Sequence, residues 1–169
     1  MPSVIARGIL FLSGYAPLFL IFSIQYYSKY GKWALLPALL GLFAVLWMFA
    51  WIRWVRRAAP VPISVKNVRR KDAEVIAYIF AYVFPFLGLD LDNNASTIGL
   101  GVFFVVLMVL NVSSNMVHIN PMLNLFGYHV YEIDTDSDED HTIITSRSRL
   151  VRGTMLDAVT IGDEVWMEK

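Results

Sequence analysis

Residues 53–71 read RWVRRAAPVPISVKNVRRK, and this basic stretch decides how the rest of the chain is interpreted. It holds seven of the fourteen Lys and Arg residues of the 169-residue chain. Long apolar segments lie on both sides of it. Cytoplasmic loops of membrane proteins carry an excess of Lys and Arg close to the membrane. The stretch is therefore predicted to be a loop on the cytoplasmic face of a membrane.

The composition indicates an integral membrane protein. Hydrophobic residues make up 57% of the chain and charged residues only 17%, which is too apolar for an ordinary soluble domain. The formal net charge is zero, so direct binding to nucleic acid is not expected. The absence of cysteine excludes disulfides, thiolate metal sites and a cysteine nucleophile.

Four apolar segments predict a mainly α-helical bundle of four transmembrane helices. About twenty helical residues cross the roughly 30 Å hydrocarbon core of a bilayer. Pro17 predicts a kink in the first helix. Lys29 and Lys32 are the only basic residues on the opposite side in this topology, so both termini are predicted to be cytoplasmic. The predicted spans are residues 8–27, 33–54, 73–89 and 98–119.

A small C-terminal cytoplasmic β-subdomain, residues 122–169, is predicted to follow the transmembrane domain of residues 1–121. Alternating apolar residues at 128–133 and 142–146 predict one hairpin, and residues 157–168 predict a second. About forty residues of sheet is marginal as an independent fold. We expect the sheet to pack on the membrane part, on a second copy or on a partner.

A polar patch ends the fourth apolar segment. Asn111, Asn115 and His118 are spaced at i, i+4 and i+7, so they share one helix face, with Ser114 beside them. Such residues often form hydrogen bonds between helices, here between copies in a homo-oligomer. They also line polar vestibules or ion pathways. The sequence leaves both readings open.

The basic loop also has more than one interpretation. Membrane topology alone explains its charge, but it could bind anionic membrane lipids. It could equally dock an acidic partner protein, or nucleic acid held close to the membrane. The residues concerned are Arg56, Arg57, Lys66, Arg69, Arg70 and Lys71.

No arrangement of catalytic or cofactor-binding residues is visible in the sequence. The three histidines are scattered, and there is no Gly-rich phosphate loop or metal-ligand spacing. Residues 134–145 begin like a calcium loop, but Glu139 and Thr145 replace the required Gly and bidentate Glu. We therefore predict a protein that is not an enzyme and that needs no metal or cofactor.

Four stretches carry a family resemblance. They are FLSGYAPLFL at 11–20, the segment from KDAE to PF at 71–86, INPMLNLFGY at 119–128 and IITSR at 143–147. With these stretches the chain resembles the membrane subunit of the Kiwa anti-phage defence system. The third stretch marks the predicted membrane-to-cytoplasm junction, whose candidate site residues are Asn120, Pro121, Asn124, Gly127 and Tyr128.

The resemblance implies a multi-pass protein of the bacterial inner membrane that forms a homo-oligomer such as a tetramer. It further implies a non-enzymatic sensor and scaffold, which detects infection at the envelope and recruits or activates a cytosolic DNA-binding partner subunit. The alternative from another functional class is a small oligomeric channel or transporter lined by the fourth span.

Overall fold

The computed structural model of the protein describes residues 4–71, 77, 93–113, 120–135, 140–161 and 165–169. The described helices are α1 (Val4–Gly14), α2 (Ala16–Tyr30), α3 (Leu35–Val55), α4 (Asn94–Ser113) and α5 (Pro121–Leu125), with a 3-10 turn at Gly31–Ala34. The described strands are β1 (Val61–Ser64), β2 (Asn67–Arg70), β3 (His129–Asp134), β4 (Asp140–Thr145), β5 (Met155–Thr160) and β6 (Val165–Glu168).

Helix α3 folds back along α1 and α2. The chain reverses at the 3-10 turn, where Gly31 has a φ of 55°. The Ala38 N–H donates a hydrogen bond of 3.0 Å to Ser23 Oγ. A Cβ added at Gly41 would lie only 3.1 Å from Ala16 Cα. Small residues at these positions let the two helix backbones approach closely.

Helix α4 packs antiparallel to α1 and α2. The Phe104 ring lies 5.3 Å from the Phe11 ring and 5.0 Å from the Tyr15 ring, between centroids. Near the C-terminal end of α4, Arg7 Nη1 donates a hydrogen bond of 3.1 Å to the Val112 carbonyl. The C-terminal end of α4 therefore lies beside the start of α1.

The six strands form one curled sheet in the order β1-β5-β6-β4-β3-β2. All neighbouring pairs are antiparallel except β4 and β6, which are parallel. Strands β1 and β2 occupy opposite edges, yet only Val65 and Lys66 separate them. So short a connection spans at most about 10 Å. The sheet must therefore curl until its two edges come close together.

The sheet is buried on both faces. Ile143 and Ile144 are neighbours on β4, point to opposite faces and are both fully buried. One face encloses a cluster formed by Ile63, Val65, Tyr131, Ile133, Ile143, Leu150, Leu156 and Ala158. The other face joins a cluster formed by Leu10, Val45, Met48, Trp51, Ile52, Val55, Met122, Leu123, Ile144, Val159, Ile161, Val165 and Met167. The sheet thus packs directly on the helices, which is one of the three arrangements expected.

Three local predictions are confirmed. Tyr131 pairs with Ile143 in the β3–β4 hairpin, and Val159 pairs with Met167 in the antiparallel β5–β6 pair. The break expected at Pro17 is present, because α1 ends at Gly14 and α2 begins at Ala16. The connections between the paired strands, residues 136–139 and 162–164, lie outside the described residues.

The predicted fold class, a bundle of four transmembrane helices with a separate C-terminal β-subdomain, is wrong. Within the described ranges, two helical stretches are long and apolar enough to cross a membrane, Ala16–Val55 and Ala95–Ser113. The predicted span 73–89 lies outside the described residues, apart from Ala77, and the span 98–119 is described only as far as Ser113.

The physical reason for part of the error lies in the basic stretch. Hydropathy and charge classify it as a loop, but Val61, Ile63 and Val65 alternate with polar residues or proline, as in a strand. Ile63 and Val65 are buried inside the curled sheet. Residues 61–70 therefore supply both edge strands of a sheet that was expected to come from the C-terminal region alone.

A candidate coupling site at the helix–sheet junction

The site begins with the break between α1 and α2. Pro17 has no N–H, so the helical hydrogen bonding is interrupted one turn before it. The Tyr15 N–H instead bonds the Leu12 carbonyl at 3.1 Å, a tighter turn than in an α-helix. Next to this turn, Ser13 Oγ donates a hydrogen bond of 2.6 Å to the Leu10 carbonyl.

The side chain of Asn120, which lies 110 positions after Leu10, binds to α1 next to this break. Its side chain is buried, with 4% exposure. Nδ2 donates to the Leu10 carbonyl at 3.0 Å and to Ser13 Oγ at 2.8 Å. Oδ1 accepts from the Met122 N–H at 2.9 Å. Because buried polar groups are costly when unpaired, this satisfied amide fixes residue 120 against α1.

Glycine at position 14 allows the close approach of the junction to α1. A Cβ at Gly14 would lie 3.3 Å from Pro121 Cδ and 3.4 Å from Asn120 Oδ1. Met48 of α3 is fully buried next to the same amide, with its Sδ 3.7 Å from Asn120 Nδ2. The junction therefore touches both α1 and α3.

Residues at both ends of the short helix α5 explain why it begins and ends where it does. Asn120 is the N-cap and Pro121 the first helical residue, where a missing N–H costs nothing. At the other end the Gly127 N–H bonds the Asn124 carbonyl at 3.0 Å, and the Tyr128 N–H bonds the Leu123 carbonyl at 2.9 Å. This is a Schellman motif, and the φ of 82° at Gly127 is the left-handed conformation it requires.

Tyr128 brings the basic stretch to the junction. The Arg56 guanidinium carbon lies 5.4 Å from the centroid of the Tyr128 ring, a cation–π geometry. Arg56 follows the last residue of α3, and Tyr128 precedes the first residue of β3. Two groups of residues that the sequence analysis treated separately therefore meet where helices and sheet join.

The other basic candidates lie elsewhere. Arg57 is exposed near the end of α3. Arg69 and Lys71 form ion pairs with Glu132, at 3.6 and 3.5 Å. Arg70 Nη2 lies 3.2 Å from His129 Nδ1. Lys66 is exposed at the bend between β1 and β2, and its carbonyl accepts from Arg152 Nε at 2.9 Å. Apart from Arg57, these residues lie on strand β2 or directly beside it, so the basic candidates do not form a single free patch.

The predicted polar face can be followed only in part. Asn111 is partly buried near the C-terminal end of α4. Ser114, Asn115 and His118 lie outside the described residues. Whether these four residues share an interface therefore stays a prediction.

Ser13 and Met48 belong to the junction but were not predicted as site residues. Pro17 was a usable signal for Ser13, since it indicated that a carbonyl near residue 13 would lose its helical partner. Nothing local in the sequence connects Met48 to Asn120. That contact depends on how α3 folds back over α1.

The helices are apolar and largely exposed, and a buried amide ties them to a curled six-stranded sheet. These features define the class of this molecule: a small β protein attached to hydrophobic helices. The chain belongs to the family of the anti-phage protein KwaA, whose model matches residues 6–167. The resemblance seen in the sequence is thereby confirmed. Membership in the family gives the chain a role in defence against phage.

A similar curated protein is the Kiwa protein KwaA of Escherichia coli O55:H7 (strain RM12579 / EPEC). The two are 21% identical over 72 residues, which make up 43% of this chain and 37% of the relative. The matched part therefore covers well under half of that protein. No solved structure matches this chain.

Proposed function

We propose that this protein is a non-enzymatic sensor and scaffold subunit of a Kiwa-type defence complex in the bacterial inner membrane. Its helices detect infection at the envelope. Its sheet lies in the cytoplasm, where it recruits or activates a cytosolic DNA-binding partner subunit. The observation that carries this proposal is the Asn120 junction, which ties exposed apolar helices to a folded sheet.

Exposure of the apolar helices supports insertion into a membrane. Of the most apolar part of Ala16–Val55 only 33% is buried, and of Ala95–Ser113 only 6%. The core helix of a soluble protein would be mostly buried. Contiguous apolar surface of this extent is unfavourable in water and typical of contact with lipid or protein.

The distribution of charge supports a cytoplasmic sheet. Arg53, Arg56 and Arg57 lie at the end of α3 that packs on the sheet, and Arg7 lies beside the end of α4. The opposite end, at the turn between α2 and α3, carries only Lys29 and Lys32 among the described residues. The end richer in Arg is expected to face the cytoplasm.

The junction supports coupling between the two parts. The side chain of Asn120 is bonded to α1, while its main chain forms the start of α5. A displacement of α1 relative to α5 would therefore disturb these hydrogen bonds. Helix α5 leads within three residues into strand β3. A contact with two alternative packed arrangements would transmit a movement of the membrane helices to the sheet.

Copurification and conductance test the proposal together. The chain carries a tag at Lys169 and is expressed together with the proposed cytosolic DNA-binding subunit. We expect the chain to resist carbonate extraction, the soluble subunit to copurify in mild detergent, and reconstituted liposomes to show no ion conductance. A chain released by carbonate would contradict the membrane role. Conductance without copurification would instead favour the oligomeric channel or transporter.

A further inference from the structure

A cleft of about 420 Å³ opens between the end of α3 and strand β5, apart from the Asn120 junction. Its inner wall is apolar and buried, since Val55, Val159 and Ile161 belong to the core between helices and sheet. Its mouth is exposed at Trp54, Arg57 and Thr160. The cleft therefore has an apolar wall and a polar, cationic rim.

Arg57 is the charged group of this rim among the described residues. Within the described ranges, no acidic side chain forms an ion pair with it. A guanidinium presents several N–H donors in a fixed fork, which suits bidentate binding of a phosphate. Thr160 borders the same rim on strand β5.

Trp54 connects the cleft to the apolar surface of α3. Leu39, Phe43 and Leu46 are each more than half exposed, and with Trp54 they follow the spacing of one helix face. The stripe is about 22 Å long, since Leu39 and Trp54 are separated by fifteen residue steps of about 1.5 Å each. It ends at the exposed indole, a group that favours the boundary between hydrocarbon and headgroups.

We propose that the cleft binds one anionic phospholipid from the leaflet on the sheet side of the membrane. The lipid phosphate sits at Arg57, and an acyl chain lies on the stripe that ends at Trp54. The combination of an apolar stripe and a cationic rim at one end matches the two parts of such a lipid. This inference rests on the membrane location in the proposed function.

Native mass spectrometry of the full-length protein in a neutral detergent tests the proposal, with phosphatidylglycerol as the added lipid. Arg57→Gln should weaken binding of the first lipid by about tenfold or more, as expected for a lost charge-assisted hydrogen bond. Arg53→Gln is the matched control. Arg53 is exposed on the same helix end but does not line the cleft, so its replacement should change binding less than twofold. Equal effects of the two variants would overturn the proposal.

A second variant leaves the charge in place. Ala58 lines the cleft and is exposed, so Ala58→Phe should fill the mouth and weaken lipid binding while Arg57 remains. Unchanged binding in Ala58→Phe would contradict the site. Binding of inorganic phosphate as tight as that of phosphatidylglycerol would also contradict it, because the acyl chain would then contribute nothing.

Carbonate extraction of the wild-type chain separates this inference from the proposed function. Release of the wild type would contradict the membrane role and, with it, the lipid site. A chain that stays in the membrane, copurifies with its partner and binds lipid equally with or without Arg57 would overturn the cleft assignment alone.

Discussion

Asn120 Nδ2 donates a hydrogen bond of 3.0 Å to the main-chain carbonyl of Leu10, across 110 positions of sequence. This contact links the first helix of the chain to the segment that leads into the sheet. Its amide is buried and its hydrogen bonds are complete on both the N–H and the carbonyl side. Substitutions here should therefore affect helices and sheet together.

Asn120→Asp should destabilise the protein. The change keeps the shape but puts a carboxylate oxygen where Nδ2 now donates to two acceptors, Leu10 O and Ser13 Oγ. Burying an acceptor against other acceptors lowers the free energy of unfolding by about 1–3 kcal/mol, and by more if the acceptor is charged. We expect a lower thermal midpoint in detergent. Asn124→Asp is the control, because the bond at that residue uses the main-chain carbonyl; an equal loss in both variants would refute the role of the Asn120 amide.

Gly41→Ala should loosen the packing of α3 on α2. The added Cβ would lie 3.1 Å from Ala16 Cα, a backbone atom that cannot move aside alone. Overpacking of this kind costs about 1–3 kcal/mol. Gly99→Ala is the matched control, since a Cβ there meets nothing within 4 Å. Thermal unfolding in detergent should separate the two, and equal midpoints would show that the close approach is unimportant.

Gly127→Val should destabilise the Schellman motif that ends α5. The φ of 82° costs roughly 1–2 kcal/mol for a residue with a Cβ, and more for a β-branched one. Asn tolerates this conformation, so Gly127→Asn should retain most of the stability. Limited proteolysis between the helices and the sheet provides the measurement. Similar cleavage rates for Val and Asn would argue against backbone strain as the cause.

The double change Asn111→Leu and Asn115→Leu should reduce a homo-oligomer in mild detergent. Hydrogen bonds between membrane helices contribute about 0.5–2 kcal/mol each, and symmetry repeats each loss around the assembly. Val106→Leu, exposed in the same helix, should leave the assembly unchanged. Size-exclusion chromatography with light scattering measures the mass. An intact oligomer in the double variant would show that this face does not form the subunit contacts.

The sequence predicted those elements whose signal is local. The period-two pattern around Tyr131 and Val159 gave the two antiparallel strand pairs, and Pro17 gave the helix break. The parallel pairing of β4 with β6 could not be predicted in the same way. Ile143 of β4 pairs with Trp166 of β6, although β5 lies between these two strands in the sequence. Such a register depends on contacts between residues that are far apart along the chain.

The basic stretch was misread for a physical reason. Its seven basic side chains lower the average hydropathy, and that average outweighs the short alternation at Ile63 and Val65. Edge strands commonly carry Lys, Arg and Pro, which discourage pairing with other chains, so charge and strand structure are compatible. Pro62 lies in such an edge strand, β1.

The candidate site was only half visible in the sequence. Asn120, Pro121 and Gly127 were predicted only as junction residues, and the structure places them at the two ends of helix α5. The partners of the Asn120 side chain are Leu10 and Ser13, more than one hundred positions away. Their proximity is a result of folding that a single sequence does not contain.

Protection against phage is the most direct test of coupling through the junction. Cells carry the complete defence system with either Asn120→Asp or Asn124→Asp, and immunoblots of the membrane fraction establish equal amounts of each variant. We predict that Asn120→Asp lowers protection to that of cells lacking the system while the partner still copurifies, and that Asn124→Asp protects fully. Full protection by Asn120→Asp at equal membrane levels would contradict the account.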